Sequence, residues 1–260
     1  MPTAYHAKGR LNYRTFGSPD NPAIILSNSL GTDFTMWQPQ IDAWQNDFYL
    51  IAYDTRGHGL SAPVSAPCRL DDLGSDVLAI LDTVGIGKAH FCGISMGGLT
   101  GLWLGIHAAD RLNKLVVCNT AAKIGQTESW LARADSVRRK GLSDIALTAG
   151  QRWFTKDFVR QNPATVNRLV SHLADSSPAG YAACCEALAY ADLREQIHRI
   201  QVPTLSVGGL YDQVTTAETA RSLHTAIPNS RLLLLEAAHI SNIEAAAVFN
   251  SKIKHFLKCH

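Results

Sequence analysis

The stretch Ala89-His90-Phe91-Cys92-Gly93-Ile94-Ser95-Met96-Gly97-Gly98-Leu99 sets the reading of this chain. A short apolar run leads into Gly93, a serine stands at the apex, and the apolar run Leu99 to Ala109 has helical character. The order predicted is strand, sharp turn, helix. A nucleophile at the tip of such a turn sits in a strained backbone. A side chain two residues to either side would crowd the turn, so glycine is needed at 93 and 97. The helix that follows aims its N-terminal N–H groups and positive dipole end at the serine hydroxyl. Ser95 is therefore the candidate nucleophile.

Outward from this turn, other apolar runs recur at intervals. They are Ala23 to Ser27, Tyr49 to Tyr53, Leu115 to Cys118, Thr204 to Val207 and Leu232 to Leu235. Continuous apolar runs suit parallel strands buried on both faces. Helical stretches such as Leu70 to Val84 separate them, which predicts an α/β chain with a mostly parallel central sheet flanked by helices. His6 to Arg14 reads as antiparallel edge strands. Between about Thr120 and Leu193 the strands stop. Leu131, Ala134 and Val137 have helical spacing, Trp153, Phe154 and Phe158 form an aromatic group, and Tyr181 to Ala191 reads as a helix. Residues 121–193 are thus expected to form a helical cap insertion in a core made of residues 1–120 and 194–260.

The bulk composition narrows the function classes. A chain of 260 residues with 46% apolar and 18% charged residues can bury a large core. A net charge of +2 with scattered Lys and Arg gives no basic run for nucleic acid. Arg138-Arg139-Lys140 reads as a solvated helix face. No apolar run reaches the roughly 18 residues needed to cross a bilayer, and Met1 to His6 lacks the pattern of a secretory signal. The expectation is a cytoplasmic protein with no membrane partner. The six cysteines contain no C-x-x-C pair, which favours reduced, mostly buried thiols over a metal site. No metal and no organic cofactor is expected. Homo-oligomerisation is left open.

A serine nucleophile needs a base, and the base needs an orienting acid. For a strand-turn-helix serine of this type the chain order is serine, acid, histidine, with the last two in loops after late strands. Asp212 follows Thr204 to Gly209, and His239 follows Leu232 to Ala238. Both sit where open α/β sheets place their ligands. The plainer alternatives are a turn aspartate and a surface-loop histidine. His58 precedes Ser95, which is the wrong order, and reads as a loop-shaping residue hydrogen-bonded locally. His224, His255 and His260 read as helix-face or terminal residues. Asp54 and Glu236 are rival acids, although Asp54-Thr55-Arg56 reads better as a loop-bracing ion pair. A tetrahedral oxyanion needs two fixed donors. Met96 N–H supplies one, and Leu30 N–H, in the loop after Ala23 to Ser27, is the candidate for the second.

Taken together, the elbow, Asp54-Thr55-Arg56-Gly57-His58-Gly59-Leu60-Ser61, Asp212 and His239 resemble the α/β-hydrolase family over nearly the whole chain. Further stretches are most similar to its enol-lactone-hydrolysing branch. They are Leu26-Ser27-Asn28-Ser29-Leu30-Gly31-Thr32-Asp33 with Met36-Trp37, His90 to Gly98, Ala191-Asp192-Leu193-Arg194 and Ala238-His239-Ile240-Ser241-Asn242. Many relatives carry His-Gly where this chain has Asn28-Ser29. Ser95 itself separates the chain from dehalogenases and epoxide hydrolases of this fold, which use an aspartate nucleophile. The resemblance implies a serine hydrolase that opens a small anionic lactone formed in aromatic-acid breakdown. The lactone's acetate arm needs a cation, for which Arg133 and Arg152 are candidates, with Trp130 as an apolar wall. Competing readings are a carboxylesterase or carbon–carbon bond hydrolase on the same machinery, and a binding-only protein of the same fold.

Overall fold

The computed structural model describes residues 3–6, 9–64 and 67–259. The chain opens with strands β1 (Thr3–His6), β2 (Gly9–Phe16) and β3 (Ala23–Ser27), then helix α1 (Gln38–Trp44) and strand β4 (Tyr49–Tyr53). Helix α2 (Leu70–Val84), strand β5 (Ala89–Ile94), helix α3 (Met96–His107) and strand β6 (Leu112–Cys118) follow. These strands join β7 (Thr204–Gly209) and β8 (Ser230–Leu235) in one eight-stranded sheet of order β1-β2-β4-β3-β5-β6-β7-β8. The β1–β2 and β2–β4 pairings are antiparallel; the others are parallel.

The sequence pattern explains the layers. Every residue of β3, β5 and β7 is buried, as expected for strands covered on both faces. In α2 the buried Leu73, Val77, Ile80 and Leu81 recur at helical spacing and face the sheet. Each such side chain contributes about 1.5–3 kcal/mol on full burial. The Asp72 carboxylate accepts the Arg69 N–H at 3.0 Å at the start of α2. Gly85, at φ 76°, ends the helix in the left-handed conformation. On the other face, α1 packs against α11 (Ala246–Lys258), where Trp44 stacks on Phe249 with ring centroids 6.2 Å apart.

Between β6 and β7 the described chain is helical: α4 (Thr127–Lys140), α5 (Ser143–Trp153), α6 (Lys156–Gln161), α7 (Pro163–Ala174) and α8 (Pro178–Tyr190). Arg138 of α4 is ion-paired with Glu186 of α8 at 2.7 Å. Phe154 and Phe158 stack at 4.8 Å. Helices α9 (Ala217–Ala226) and α10 (Ser241–Glu244) complete the chain order. Cys68, Cys92, Cys118, Cys184 and Cys185 are buried free thiols, and Cys259 is partly exposed. No helix among the described residues is long and apolar enough to cross a membrane. The terminal His260 and the first two residues lie outside the described residues.

One local expectation is corrected. Asp54 and Arg56 are not paired with each other. Arg56 forms a buried two-point ion pair with Asp76 of α2, Nε to Oδ2 and Nη2 to Oδ1, both at 2.6 Å. Asp54 instead accepts from Asn12 Nδ2 at 2.7 Å, Phe34 N–H at 3.0 Å and Leu60 N–H at 2.9 Å. Its oxygens face backbone and amide donors that need a turn's acceptor, while the guanidinium finds a carboxylate one helix away.

Candidate active site

Ser95 stands between β5 and α3 with φ 57° and ψ −115°. A positive φ at a non-glycine residue costs on the order of 1–3 kcal/mol, and the surroundings must hold it. Here Ser95 N–H donates to Cys118 O at 2.9 Å. Its carbonyl accepts from Leu99 N–H at 2.9 Å and from Thr120 Oγ1 at 2.8 Å. The flanking glycines are sterically required. A Cβ on Gly93 would lie 2.4 Å from the Gly97 carbonyl group, and one on Gly97 would lie 2.3 Å from Ser27 O.

The loop after β3 meets the start of α3 directly. Gly97 N–H donates to Asn28 O at 3.0 Å. The Asn28 side chain is fixed from both ends, by Nδ2 to Tyr53 O at 2.6 Å and by Trp37 Nε1 to Oδ1 at 3.0 Å. Gly31 takes the left-handed turn at φ 79°, and Ser29 is not among the residues with positive φ. Gly31 N–H donates to His58 Nε2 at 3.1 Å, and His58 Nδ1 contacts Arg56 O at 3.2 Å. The acceptor role of Nε2 places the ring proton on Nδ1. Burial pushes His58 below the usual imidazole range, so it stays neutral. The local bond expected for His58 is present, and the bond to Gly31 adds a tie to the Leu30 loop. Met96, as the first residue of α3, has no intrahelical acceptor for its N–H.

Asp212 and His239 are brought together. Asp212 lies in the loop after β7, and its Oδ1 accepts from Val214 N–H at 2.7 Å and Thr215 N–H at 3.1 Å. Its Oδ2 accepts from His239 Nδ1 at 2.8 Å, Thr215 Oγ1 at 2.9 Å and Asn119 Nδ2 at 3.0 Å. Burial pushes this carboxyl up, but the imidazole and the donated hydrogen bonds outweigh it and hold the group below the ordinary carboxylate range. The Asp212 carboxylate on Nδ1 orients the His239 ring and points Nε2 away from the acid.

The His239 loop is clamped on both sides. Ala238 N–H donates to Glu244 Oε2 at 2.7 Å, and Ile240 N–H donates to Trp153 O at 3.0 Å. Glu244 Oε1 also accepts the Thr155 N–H at 3.1 Å and the Thr155 hydroxyl. The end of α5 and the start of α6 are thereby tied to the histidine loop.

Ser95 and His239 line one cavity of about 140 Å³, together with Ser29, Leu30, Trp130, Arg133, Arg152 and Tyr181. The Arg133 guanidinium lies over the Trp130 ring at 4.9 Å, and Trp130 Nε1 donates to Ile124 O at 2.5 Å. Arg152 is held by Thr148 Oγ1 at 2.8 Å and Ile145 O at 3.1 Å. Burial, with Arg133 close by, lowers its affinity for its proton. Burial also pushes the Tyr181 phenol up to about 12, so it is neutral and can donate. A serine hydroxyl, an imidazole and two guanidiniums lining one small cavity suit acyl transfer on a small anion. The rival acids lie elsewhere. Asp54 lines a separate groove, and Glu236 is exposed and accepts from Tyr211 Oη at 2.5 Å.

The sequence pattern does not single out Asn119, Glu244 or Tyr181. An asparagine directly after a buried strand was the only available signal for Asn119. Nothing in the chain pattern linked it to an aspartate 93 residues later.

Known proteins resemble this chain in sequence and in fold. A sequence profile of the alpha/beta hydrolase fold matches residues 22–246. The chain is 52% identical over 248 residues to 3-oxoadipate enol-lactonase 2 of Acinetobacter baylyi, covering 95% of this chain and 93% of that protein. It is 44% identical to 3-oxoadipate enol-lactonase 1 of the same organism, with the same coverage. The crystal structure of the enol-lactonase from Burkholderia xenovorans LB400 superposes with a TM-score of 0.97 at 41% identity, covering 99% of this chain and 100% of that one.

Proposed function

The chain belongs to the α/β-hydrolase family, and from that premise we propose the following chemistry for it. It is a lactone hydrolase that opens 3-oxoadipate enol-lactone with water to give 3-oxoadipate, a step in the breakdown of protocatechuate and catechol. The observation that carries this reading is 52% identity along 95% of the chain to an enzyme of that name. The small cavity that Ser95 lines together with two guanidiniums suits a small anionic lactone.

In this mechanism Ser95, Asp212 and His239 form the catalytic triad. His239 Nε2 takes the Ser95 proton, and the Asp212 carboxylate holds the ring in the required tautomer. The Ser95 oxygen attacks the lactone carbonyl. The Leu30 and Met96 N–H groups receive the developing oxyanion, each worth about 2.7–4 kcal/mol in the transition state. Collapse breaks the ring C–O bond and expels an enolate that stays tethered to the acyl-enzyme. The proton held by His239 passes to that enolate to give the ketone, which prevents reclosure. Neutral His239 then activates water, and hydrolysis frees the acid and Ser95. Arg133, braced on Trp130, receives the acetate arm. Residues 121–193 act as a cap that supplies this charge and closes the site. Residues 1–120 and 194–260 act as the hydrolase core.

Substrate profiling tests this reading. The enol-lactone is expected to be hydrolysed with a kcat/KM far above that of neutral esters and of substrates cleaved at a carbon–carbon bond. Preference for a neutral ester, with the enol-lactone untouched, would retain the serine hydrolase and reject the substrate.

A further inference from the structure

The triad scheme gives no role to Asn119, a buried side chain hydrogen-bonded to Asp212. Asn119 directly follows β6 and has φ 47°. Among the described residues only Asn119 and Ser95 have a positive φ without being glycine. Asparagine tolerates this region better than most side chains, but the fold must still hold it there. The backbone is anchored by Asn119 N–H to Val207 O of β7 at 2.8 Å.

The side chain is 1% exposed, and three segments converge on it. Asn119 Nδ2 donates to Asp212 Oδ2 at 3.0 Å and to Ala238 O at 3.1 Å. Asn119 Oδ1 accepts from Ser241 Oγ at 2.6 Å. Two acceptors on one side and a hydroxyl on the other fix which way the amide points. Both amide hydrogens and the carbonyl oxygen are engaged. Ala238 and Ser241 bracket His239. One rigid planar group therefore spans the acid and both sides of the loop that carries the base.

We infer that Asn119 is the positioning residue that sets the geometry of the Asp212–His239 pair. This rests on the triad reading above. Without Asn119 the Asp212 carboxylate retains donors from its own loop and from His239, but loses its tie to the end of β6. The His239 loop loses a contact on each side of the ring. Proton transfer depends steeply on such placement. An aspartate at 119 keeps the shape and the acceptor for Ser241. It supplies neither N–H and sets a second carboxyl about 3 Å from Asp212.

Asn119→Gly, Asn119→Asp and Ser95→Ala are compared with the parent protein. The measurements are kcat and KM on the enol-lactone, the folded fraction by near-ultraviolet circular dichroism, and the far-downfield proton resonance of the His239–Asp212 hydrogen bond. Glycine accepts the left-handed backbone freely, so Asn119→Gly is expected to fold. Its kcat per folded molecule is expected to fall about 10- to 100-fold with KM within about threefold. The downfield resonance is expected to shift or broaden. Asn119→Asp, which preserves side-chain shape, is expected to show the same split, and it carries the test if the glycine variant folds poorly. A kcat per folded molecule within about twofold of the parent, with an unmoved resonance, overturns the inference. So does a loss that follows the folded fraction alone. An active Ser95→Ala protein rejects the triad, and this inference falls with it. An inactive Ser95→Ala beside fully active Asn119 variants rejects the inference alone.

Discussion

The Gly97 N–H donates to the Asn28 carbonyl at 3.0 Å, and this bond joins the loop after β3 to the first turn of α3. It sets the Leu30 and Met96 amides on one frame. Substituting Gly97 tests that frame, because an added Cβ would lie 2.3 Å from Ser27 O and 2.5 Å from Ser27 C. Both are backbone atoms of a buried strand and cannot rotate away. Gly97→Ala is expected to cost about 3 kcal/mol or more and to remove activity from whatever folds. Urea denaturation checks this; a variant with parental stability and turnover would contradict the packing described.

The buried ion pair between Arg56 and Asp76 gives a second prediction. Asp76→Asn leaves a guanidinium 6% exposed without its charged partner. The expected loss is about 3–5 kcal/mol. Replacing both residues with apolar side chains of similar volume is expected to restore much of it. Denaturation midpoints of the single and double variants decide the matter. Equal losses in the two would count against it.

His90 gives a pH prediction. Burial, with the charge of Lys114 acting in the same direction, lowers its pKa from 6.5 to about 4. Its Nδ1 is buried without a hydrogen-bond partner among the described residues. Between these two pH values the unfolded chain binds a proton that the folded chain refuses. Stability from this group is therefore present above pH 6.5 and is lost as pH falls toward 4. The buried His58 acts in the same direction. His90→Phe removes one of the two, and its ring can keep an edge contact with Phe48. The stability gap between pH 7 and pH 5 is expected to shrink by about 1–2 kcal/mol. An unchanged gap in urea titrations would contradict this.

The cations of the cavity give a fourth prediction. Arg133→Ala is expected to raise KM for the anionic enol-lactone about tenfold, the value of one charge-assisted hydrogen bond. For a neutral ester KM is expected to stay the same. Arg152→Ala serves as the comparison, since both guanidiniums face the same space. Equal effects of Arg133→Ala on charged and neutral substrates would remove the carboxylate-binding role. A selective effect confined to Arg152→Ala would transfer that role to Arg152.

Much of the fold was legible because its strands are buried on both faces. Ala23 to Ser27 and Tyr49 to Tyr53 read as strands with the bounds the structure gives them. The elbow was legible because a tight turn restricts which residues can stand at 93 and 97. Asp212 and His239 were legible as candidates because chain order and strand ends place them on one face of the sheet. Asn119 was not, because it follows β6 while its partners lie after β7 and β8, and they meet only in three dimensions. The same holds for Glu244, whose two oxygens join the His239 loop to Thr155, 89 residues away. The partner of Arg56 was misread for a related reason. Asp54 is two residues away along the chain, but Asp76 lies on the helix that packs beside it.

Loss of ultraviolet absorbance from 3-oxoadipate enol-lactone, followed with the parent protein and with Ser95→Ala, is the most direct measurement. Rapid loss with the parent and release of 3-oxoadipate, with only background loss from a folded Ser95→Ala variant, is the expected result. Undiminished hydrolysis by Ser95→Ala would contradict serine catalysis, and an inert parent protein would contradict the assigned substrate.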